Sequence, residues 1–61
     1  MRVQTFVGKV SIESLRQMDS SINNWLESHK VEPKHIVQTF GYERHREAGV
    51  QEPVVITSVW Y

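Results

Sequence analysis

The last eight residues form the most apolar stretch of the chain, Val54-Val55-Ile56-Thr57-Ser58-Val59-Trp60-Tyr61. β-Branched or aromatic side chains occupy seven of these eight positions. Neither the odd nor the even positions are polar enough to favour water, so the pattern is typical of a strand that is buried on both faces. A small domain covers one such face with its own helix. The segment therefore predicts a partner for the other face.

Two further segments have the pattern of strands. From Arg2 to Val10, residues Val3, Thr5 and Val7 alternate with Gln4, Phe6 and Gly8, and we expect Gly8 to mark a bulge, a bend or the end of this strand. A second strand is predicted at about 35–43. Its two faces are Ile36, Gln38, Phe40 and Tyr42 on one side, and His35, Val37, Thr39 and Gly41 on the other.

Between these segments the apolar period changes to that of a helix. Spacings of three and four residues place one stripe along it: Leu15, Met18, Ile22, Trp25, Leu26 and His29. Ser11 is a suitable N-cap, and Pro33 forbids continuation of the helix. The pattern predicts a helix at about residues 12–30.

The resulting fold class is α+β, with one β-α-β-β domain over residues 1–61. A helical crossover makes the first two strands parallel, and a charged connection at 43–53 returns the chain as a third strand at 54–61. The apolar third strand favours the central position, which gives strand order 1-3-2 with one helix on one face of the sheet. The outer strands would then be blunted by Gly8 and Gly41.

Parts of this pattern are similar to a known family. The helix segment Ile22-Asn23-Asn24-Trp25-Leu26-Glu27, the strand Ile36-Val37-Gln38-Thr39-Phe40 and the strand at 54–61 resemble the small bacterial β-α-β-β proteins grouped with a sporulation protein. The resemblance covers most of residues 12–61. It implies the fold and no established activity, so it assigns no catalytic residue.

The composition of the chain limits the functions that the protein is expected to have. The chain has 61 residues, no Cys, and seven Lys and Arg against seven Asp and Glu. A domain this small has a core that rarely supplies more than about 3–5 kcal/mol, and self-association adds apolar burial without adding chain. The balanced charge provides no general attraction to nucleic acid or to anionic membranes. No apolar run is long enough to span a bilayer and no secretory leader is evident, so we expect a cytoplasmic protein.

No constellation of side chains predicts catalysis or a cofactor. His29, His35 and His45 have spacings that match no compact metal site, and we interpret them as structural. Ser58 lies within a strand rather than on a strand-to-helix turn, and no glycine-rich loop precedes the helix. We therefore predict that the protein is not an enzyme and holds no cofactor or metal.

Two alternatives to a protein-interaction module remain open. Arg44 and Arg46 lie in the only local basic cluster, and with nearby aromatic residues they would form a nucleic-acid-binding module on the 43–49 loop. Glu43 and Glu47 offset that charge, so nucleic acid is disfavoured. The element order and size are also similar to those of dodecins, which implies a small-ligand-binding homo-oligomer that would carry a yellow flavin.

Our main hypothesis is a self-associating or partner-binding module, with a homodimer favoured over an unidentified protein partner. The mechanism would be burial of the helix-free sheet face or pairing of an edge strand. The predicted interface residues are Val55, Val59, Trp60 and Tyr61, together with Phe40 and Tyr42.

Overall fold

The computed structural model describes residues 1–45 and 49–61, and it confirms the β-α-β-β order. The elements are β1 (Val3–Lys9), α1 (Ile12–Ser28), β2 (His35–His45) and β3 (Val50–Trp60). They form a three-stranded sheet of order β1-β3-β2, in which β3 is antiparallel to both neighbours. The outer strands are therefore parallel to each other, as the helical crossover predicted.

The register of the strands divides the sheet into two faces. Thr57 lies opposite Phe6 on β1 and opposite Gln38 on β2. Directly opposed residues point to the same side, and Gln38 Nε2 accordingly donates to Thr57 Oγ1 over 3.1 Å. Thr57 Oγ1 also lies 3.9 Å from the sulfur of Met18 in the helix. We call this side the covered face and the other side the open face.

Both ends of α1 have identifiable caps. Ser11 is the N-cap, and its hydroxyl accepts a hydrogen bond from the Ser14 amide at 3.1 Å, as predicted. The helix ends at Ser28, two residues before the predicted end, because Lys30 adopts a left-handed φ of 50°. The amide of Val31 donates to the Leu26 carbonyl at 3.0 Å, which completes a Schellman motif.

Gly8 lets the helix approach β1. A Cβ atom on Gly8 would lie 2.9 Å from Met18 Sδ and 3.2 Å from Met18 Cβ. The strand continues through Gly8 to Lys9 in unbroken register. The predicted bulge at Gly8 is therefore wrong, whereas the predicted strand end is one residue from the observed end at Lys9. The contact with Met18 explains the glycine.

Aromatic side chains fill the other end of the helix–sheet contact. The ring of Trp25 lies 5.7 Å from that of Phe6 and 5.1 Å from that of Tyr61, both in edge-to-face geometry. His29 Nδ1 donates to the Trp25 carbonyl at 3.1 Å, so this histidine completes the helix terminus. Such a cluster buries a large apolar area, and it makes Trp25 the principal core anchor of the helix.

The hairpin is longer than the sequence pattern predicted. β2 extends to His45 and β3 begins at Val50, so most of the predicted charged connection is strand. Pro53 lies inside β3, opposite Tyr42. Its carbonyl accepts a hydrogen bond from the Val10 amide at 3.3 Å, which shows that its backbone groups face the side where β1 has just ended. The missing N–H of Pro53 therefore costs no ladder bond.

The helix lies over one flank of the sheet. The backbone of α1 approaches β1 closely but not β2. Consistent with this placement, the accessible surface is 4952 Å², about a fifth more than the ~4100 Å² expected for a folded monomer of this mass. The radius of gyration is 13.0 Å, against roughly 10.5 Å for a compact chain of this length. The hairpin flank is consequently left bare.

Candidate self-association surface

The open face consists of the side chains on the helix-free side of all three strands. Cross-strand pairing arranges it in rows from β2 through β3 to β1. In order, the rows are His35, Trp60 and Val3; Val37, Ser58 and Thr5; Thr39, Ile56 and Val7; Gly41, Val54 and Lys9; then Glu43 and Glu52. The four complete rows bring together side chains that are far apart in the chain.

Charge on the open face is confined to one end. Lys9 Nζ lies 3.4 Å from Glu52 Oε2, and Glu43 is directly opposite Glu52 on the neighbouring strand. The middle two rows contain only small uncharged and β-branched residues. The middle of the open face is therefore uncharged, with three apolar and three hydroxyl side chains.

Several apolar side chains of this face remain in contact with solvent. Val7 is 58% exposed, Val37 is 38% exposed and Trp60 is 36% exposed. Val54 differs from them, since it is 2% exposed and already has its contacts within the chain. The exposed apolar area is therefore spread across all three strands rather than concentrated at one of them.

Gly41 leaves a hollow in the open face that the fold itself does not require. Its φ is not positive, unlike that of Gly49 at 61°. A Cβ on Gly41 would meet Ile56 Cδ1 at 3.5 Å, an ordinary contact. A shallow depression of about 450 Å³ lies beside this position, and it is lined by Val7, Lys9, Val54, Ile56, Tyr42 and Glu43. Glycine inside a strand often marks close approach by another molecule.

A second apolar surface runs along β2 on the covered-face side. Ile36, Phe40 and Tyr42 are 51%, 61% and 63% exposed because the helix lies over β1 instead. The rings of Phe40 and Tyr42 are 5.3 Å apart in edge-to-face geometry. We call these three residues the β2 ridge.

The six predicted interface residues do not form one patch. Val59 is fully buried on the covered face, where Val55 is partly buried and Tyr61 packs against Trp25. These three face the helix, because strand alternation turns odd-numbered residues of β3 towards it. Val55, Val59 and Tyr61 are therefore not part of the helix-free face, one of the two surfaces through which the predicted residues were expected to associate. Trp60 lies on the open face, whereas Phe40 and Tyr42 lie on the β2 ridge.

Sequence reasoning missed several residues of these surfaces. Val7, Val37 and Gly41 of the open face were not among the predicted residues, nor was Ile36 of the ridge. The alternation of β1 and β2 carried the signal for the first three, because each is opposite an even-numbered residue of β3. The exposure of Ile36 depends on the lateral position of the helix, which no local pattern encodes.

Among the described residues, the fold does not bring the residues of the other candidate sites together. Arg44 is exposed near the outer end of β2, opposite Gln51, and Arg46 lies outside the described residues. His35 is on the open face and His29 is at the helix end. Within residues 1–45 and 49–61, no group of three or more His, Asp or Glu side chains is placed to hold a metal ion.

No helix in the described part of the chain is both long enough and apolar enough to cross a lipid bilayer. No protein-family model matches the chain, and no curated protein and no solved structure is significantly similar to it. The resemblance to the sporulation-protein group therefore stays a prediction.

Proposed function

We propose that the protein is a self-associating module in which a second copy covers the open face. The hollow at Gly41 carries the proposal. The described fold explains Gly8 by the contact with Met18 and Gly49 by its positive φ, but it leaves Gly41 without an internal reason. A side chain from outside the chain would fill the hollow.

The symmetry of the sheet favours a second copy as the occupant. β1 and β2 are parallel strands on either side of β3. A two-fold axis that runs along β3 between two stacked sheets therefore places β1 of each copy over β2 of the other. Stacked sheets pack about 10 Å apart with their strands nearly aligned, which is the ordinary geometry of a β-sandwich.

Charge and shape are complementary in this arrangement. Lys9 and Gly41 are both opposite Val54, so they lie at the same height along the sheet. The two-fold axis brings Lys9 of one copy over Gly41 of the other, where no side chain obstructs its stem. The ammonium group is then directed towards Glu43, one row further along, and the same contact recurs in the symmetric position.

The size of the face suggests a modest affinity. Three strands of seven residues measure roughly 14 Å by 24 Å, a small area beside the ~800 Å² that a stable interface buries on each partner. We therefore expect association that depends on concentration, with monomer present at high dilution. The mass in solution must therefore be measured over a range of protein concentrations that includes high dilution.

The test is the effect of a charge in one of the two middle rows of the open face. Val37→Lys places an ammonium group in the second row, where stacking would bury it without a partner. Ile12→Lys is the matched control, because Ile12 is 75% exposed at the first residue of α1 and belongs neither to the open face nor to the β2 ridge. Each protein is measured by light scattering coupled to size exclusion over a wide range of dilutions.

We expect the wild type and Ile12→Lys to associate in the same concentration range, and Val37→Lys to have a lower mean mass there because it no longer stacks through the open face. Lysine at the helix start costs about 0.3–1 kcal/mol against the macrodipole, which lowers stability but leaves the association unchanged. A wild type that is monomeric at every concentration contradicts the proposal. Equal association of all three proteins contradicts it as well.

A further inference from the structure

The outer edge of β2 carries free backbone groups. Arg2 and Tyr61 exchange two backbone hydrogen bonds of 2.7 and 2.8 Å, so Tyr61 faces β1 and its neighbour Trp60 faces β2. His35, the partner of Trp60, and every second residue after it therefore bond to β3. The residues between them, Ile36, Gln38, Phe40 and Tyr42, direct their N–H and C=O groups away from the sheet.

This edge lacks the usual protection against pairing. Natural edge strands are short, carry charged residues or Pro, or are interrupted by a bulge. β2 has eleven residues in unbroken register with β3, and residues 36–42 contain neither Asp, Glu, Lys, Arg nor Pro. β1 has seven residues. The longer edge is therefore the one that is open to another strand.

The same residues that expose backbone groups also form the β2 ridge. Ile36, Phe40 and Tyr42 present apolar side chains above the edge, and the helix leaves this space empty because it lies over β1. A strand that pairs with β2 would cover the ridge with its own side chains. Backbone pairing and apolar burial thus occur in a single contact.

We infer that β2 pairs antiparallel with β2 of a second copy about a two-fold axis through Thr39. In this register Ile36 of one copy lies opposite Tyr42 of the other, in both symmetric positions, so the two ridges merge. On the opposite side of the sheet, His35 of each copy lies opposite Glu43 of the other. The same strand supplies both halves of the contact, as an isologous interface requires.

The pairing produces a continuous six-stranded sheet and goes beyond the stacking of open faces. An edge and a face are different surfaces, so one copy is able to use both at once. A protein with two self-association surfaces forms an assembly larger than a dimer. Either surface is testable without the other.

The experiment is amide hydrogen exchange by NMR on the wild-type protein, at a concentration where it associates and after dilution. The informative amides are those of Ile36, Gln38 and Phe40. The outward-facing amides of Thr5 and Val7 on β1 form the internal control, because the same alternation places them on the other edge. We expect the β2 amides to exchange at least about tenfold more slowly in the associated state and the β1 amides to be unchanged.

Fast exchange of the β2 amides at all concentrations would overturn the inference. Equal protection of both edges would also overturn it, since that result describes strand addition without a preferred edge. Slow β2 exchange that persists when Val37→Lys abolishes stacking supports edge pairing independently of the proposed function.

A pair of variants at one position isolates the backbone contribution. Gln38→Pro and Gln38→Val both remove the hydrogen bond to Thr57, but only proline removes the outward N–H. We expect the valine variant to retain edge association and the proline variant to lose it, with the inward amides of Val37 and Thr39 still protected in both. Edge association of a folded proline variant equal to that of the valine variant would refute the pairing.

Discussion

β1 and β2 flank the same central strand, yet the two sides of the sheet have different roles. On the β1 side, Met18 and Trp25 of the helix pack onto Gly8 and Phe6. On the β2 side no helix is present, and Phe40 is 61% exposed. One helix of 17 residues covers only one flank of this sheet. The covered flank stabilises the monomer, and the bare flank and the open face are the surfaces that we propose for association.

The two strand glycines show the same difference between the flanks in the atoms that surround them. At Gly8 the space that a side chain would occupy is filled by Met18, so the residue is required by the fold. At Gly41 a Cβ would meet only Ile56 Cδ1, at an ordinary contact distance of 3.5 Å, and fits without conflict. Glycine on the first strand permits contact within the chain, whereas we propose that glycine on the second strand permits contact with a second copy.

The largest expected effect separates the two tryptophans. Trp25→Ala removes the centre of the aromatic cluster and should cost about 3 kcal/mol of the free energy of unfolding. That loss is comparable with the whole stability of a core of this size, about 3–5 kcal/mol. We expect the variant to be largely unfolded in thermal denaturation followed by circular dichroism.

Trp60→Ala is the counterpart on the open face. Trp60 is 36% exposed and contributes less to the monomer, so this variant should remain folded and associate more weakly than the wild type. An unfolded Trp60→Ala together with a folded Trp25→Ala would contradict the assignment of Trp25 to the core of the monomer and of Trp60 to the open face.

Substitution of the two strand glycines by alanine should give the next largest changes in stability, and these changes should have opposite signs. Gly8→Ala places a Cβ 2.9 Å from Met18 Sδ, and we expect overpacking to cost about 1–3 kcal/mol of stability in urea denaturation. Gly41→Ala makes only an ordinary contact and should stabilise the monomer by about 0.5–1 kcal/mol, because alanine loses less backbone entropy on folding. Only Gly41→Ala should weaken association, and equal losses of stability at both positions would contradict the assignment.

Substitutions of the N-cap residue of α1 should change stability through the covered flank of the sheet alone. Ser11→Ala removes the acceptor of the Ser14 amide and should cost about 1 kcal/mol of stability. Ser11→Asp is the matched variant, since aspartate also accepts this hydrogen bond and should retain most of the stability. Chemical denaturation of each variant below its association range measures the effect, and a loss in the aspartate variant as large as in the alanine variant would disprove the capping role.

The smallest expected effect is at Lys9. Its ion pair with Glu52 joins an exposed ammonium group to a half-buried carboxylate, and surface pairs contribute about 0.2–1 kcal/mol. Lys9→Met keeps the apolar stem and removes the charge, so monomer stability should hardly change. Association through the open face should become weaker and less dependent on salt. If Lys9→Met associates as strongly as the wild type at low salt, the proposed contact between Lys9 and Glu43 is contradicted.

Local patterns predicted the elements because each has its own period and terminal signals. The stripe from Leu15 to His29 defined the helix, and Ser11 identified its start. The apolar run at 54–61 indicated the central strand, which in turn required the 1-3-2 order. These features depend on neighbours in the chain, so the sequence alone was sufficient.

Features that depend on distant contacts were not predictable in the same way. The charges of Glu43 and Arg44 and the presence of Pro53 are typical of a loop, but cross-strand pairing makes these residues part of a longer hairpin. The continuous apolar run hid which side of Val55 and Val59 faces the helix. Only the register with β1 and β2 separates the two faces of such a strand.

The central claim is that a second copy covers the open face, and contacts between copies test it most directly. A sample that mixes ¹³C,¹⁵N-labelled and unlabelled protein allows isotope-filtered NOE measurements that detect only contacts between different copies. The account predicts cross-peaks between the Lys9 side chain and the α-protons of Gly41. Their absence from an associated sample, with cross-peaks arising only from the helix surface, would contradict it.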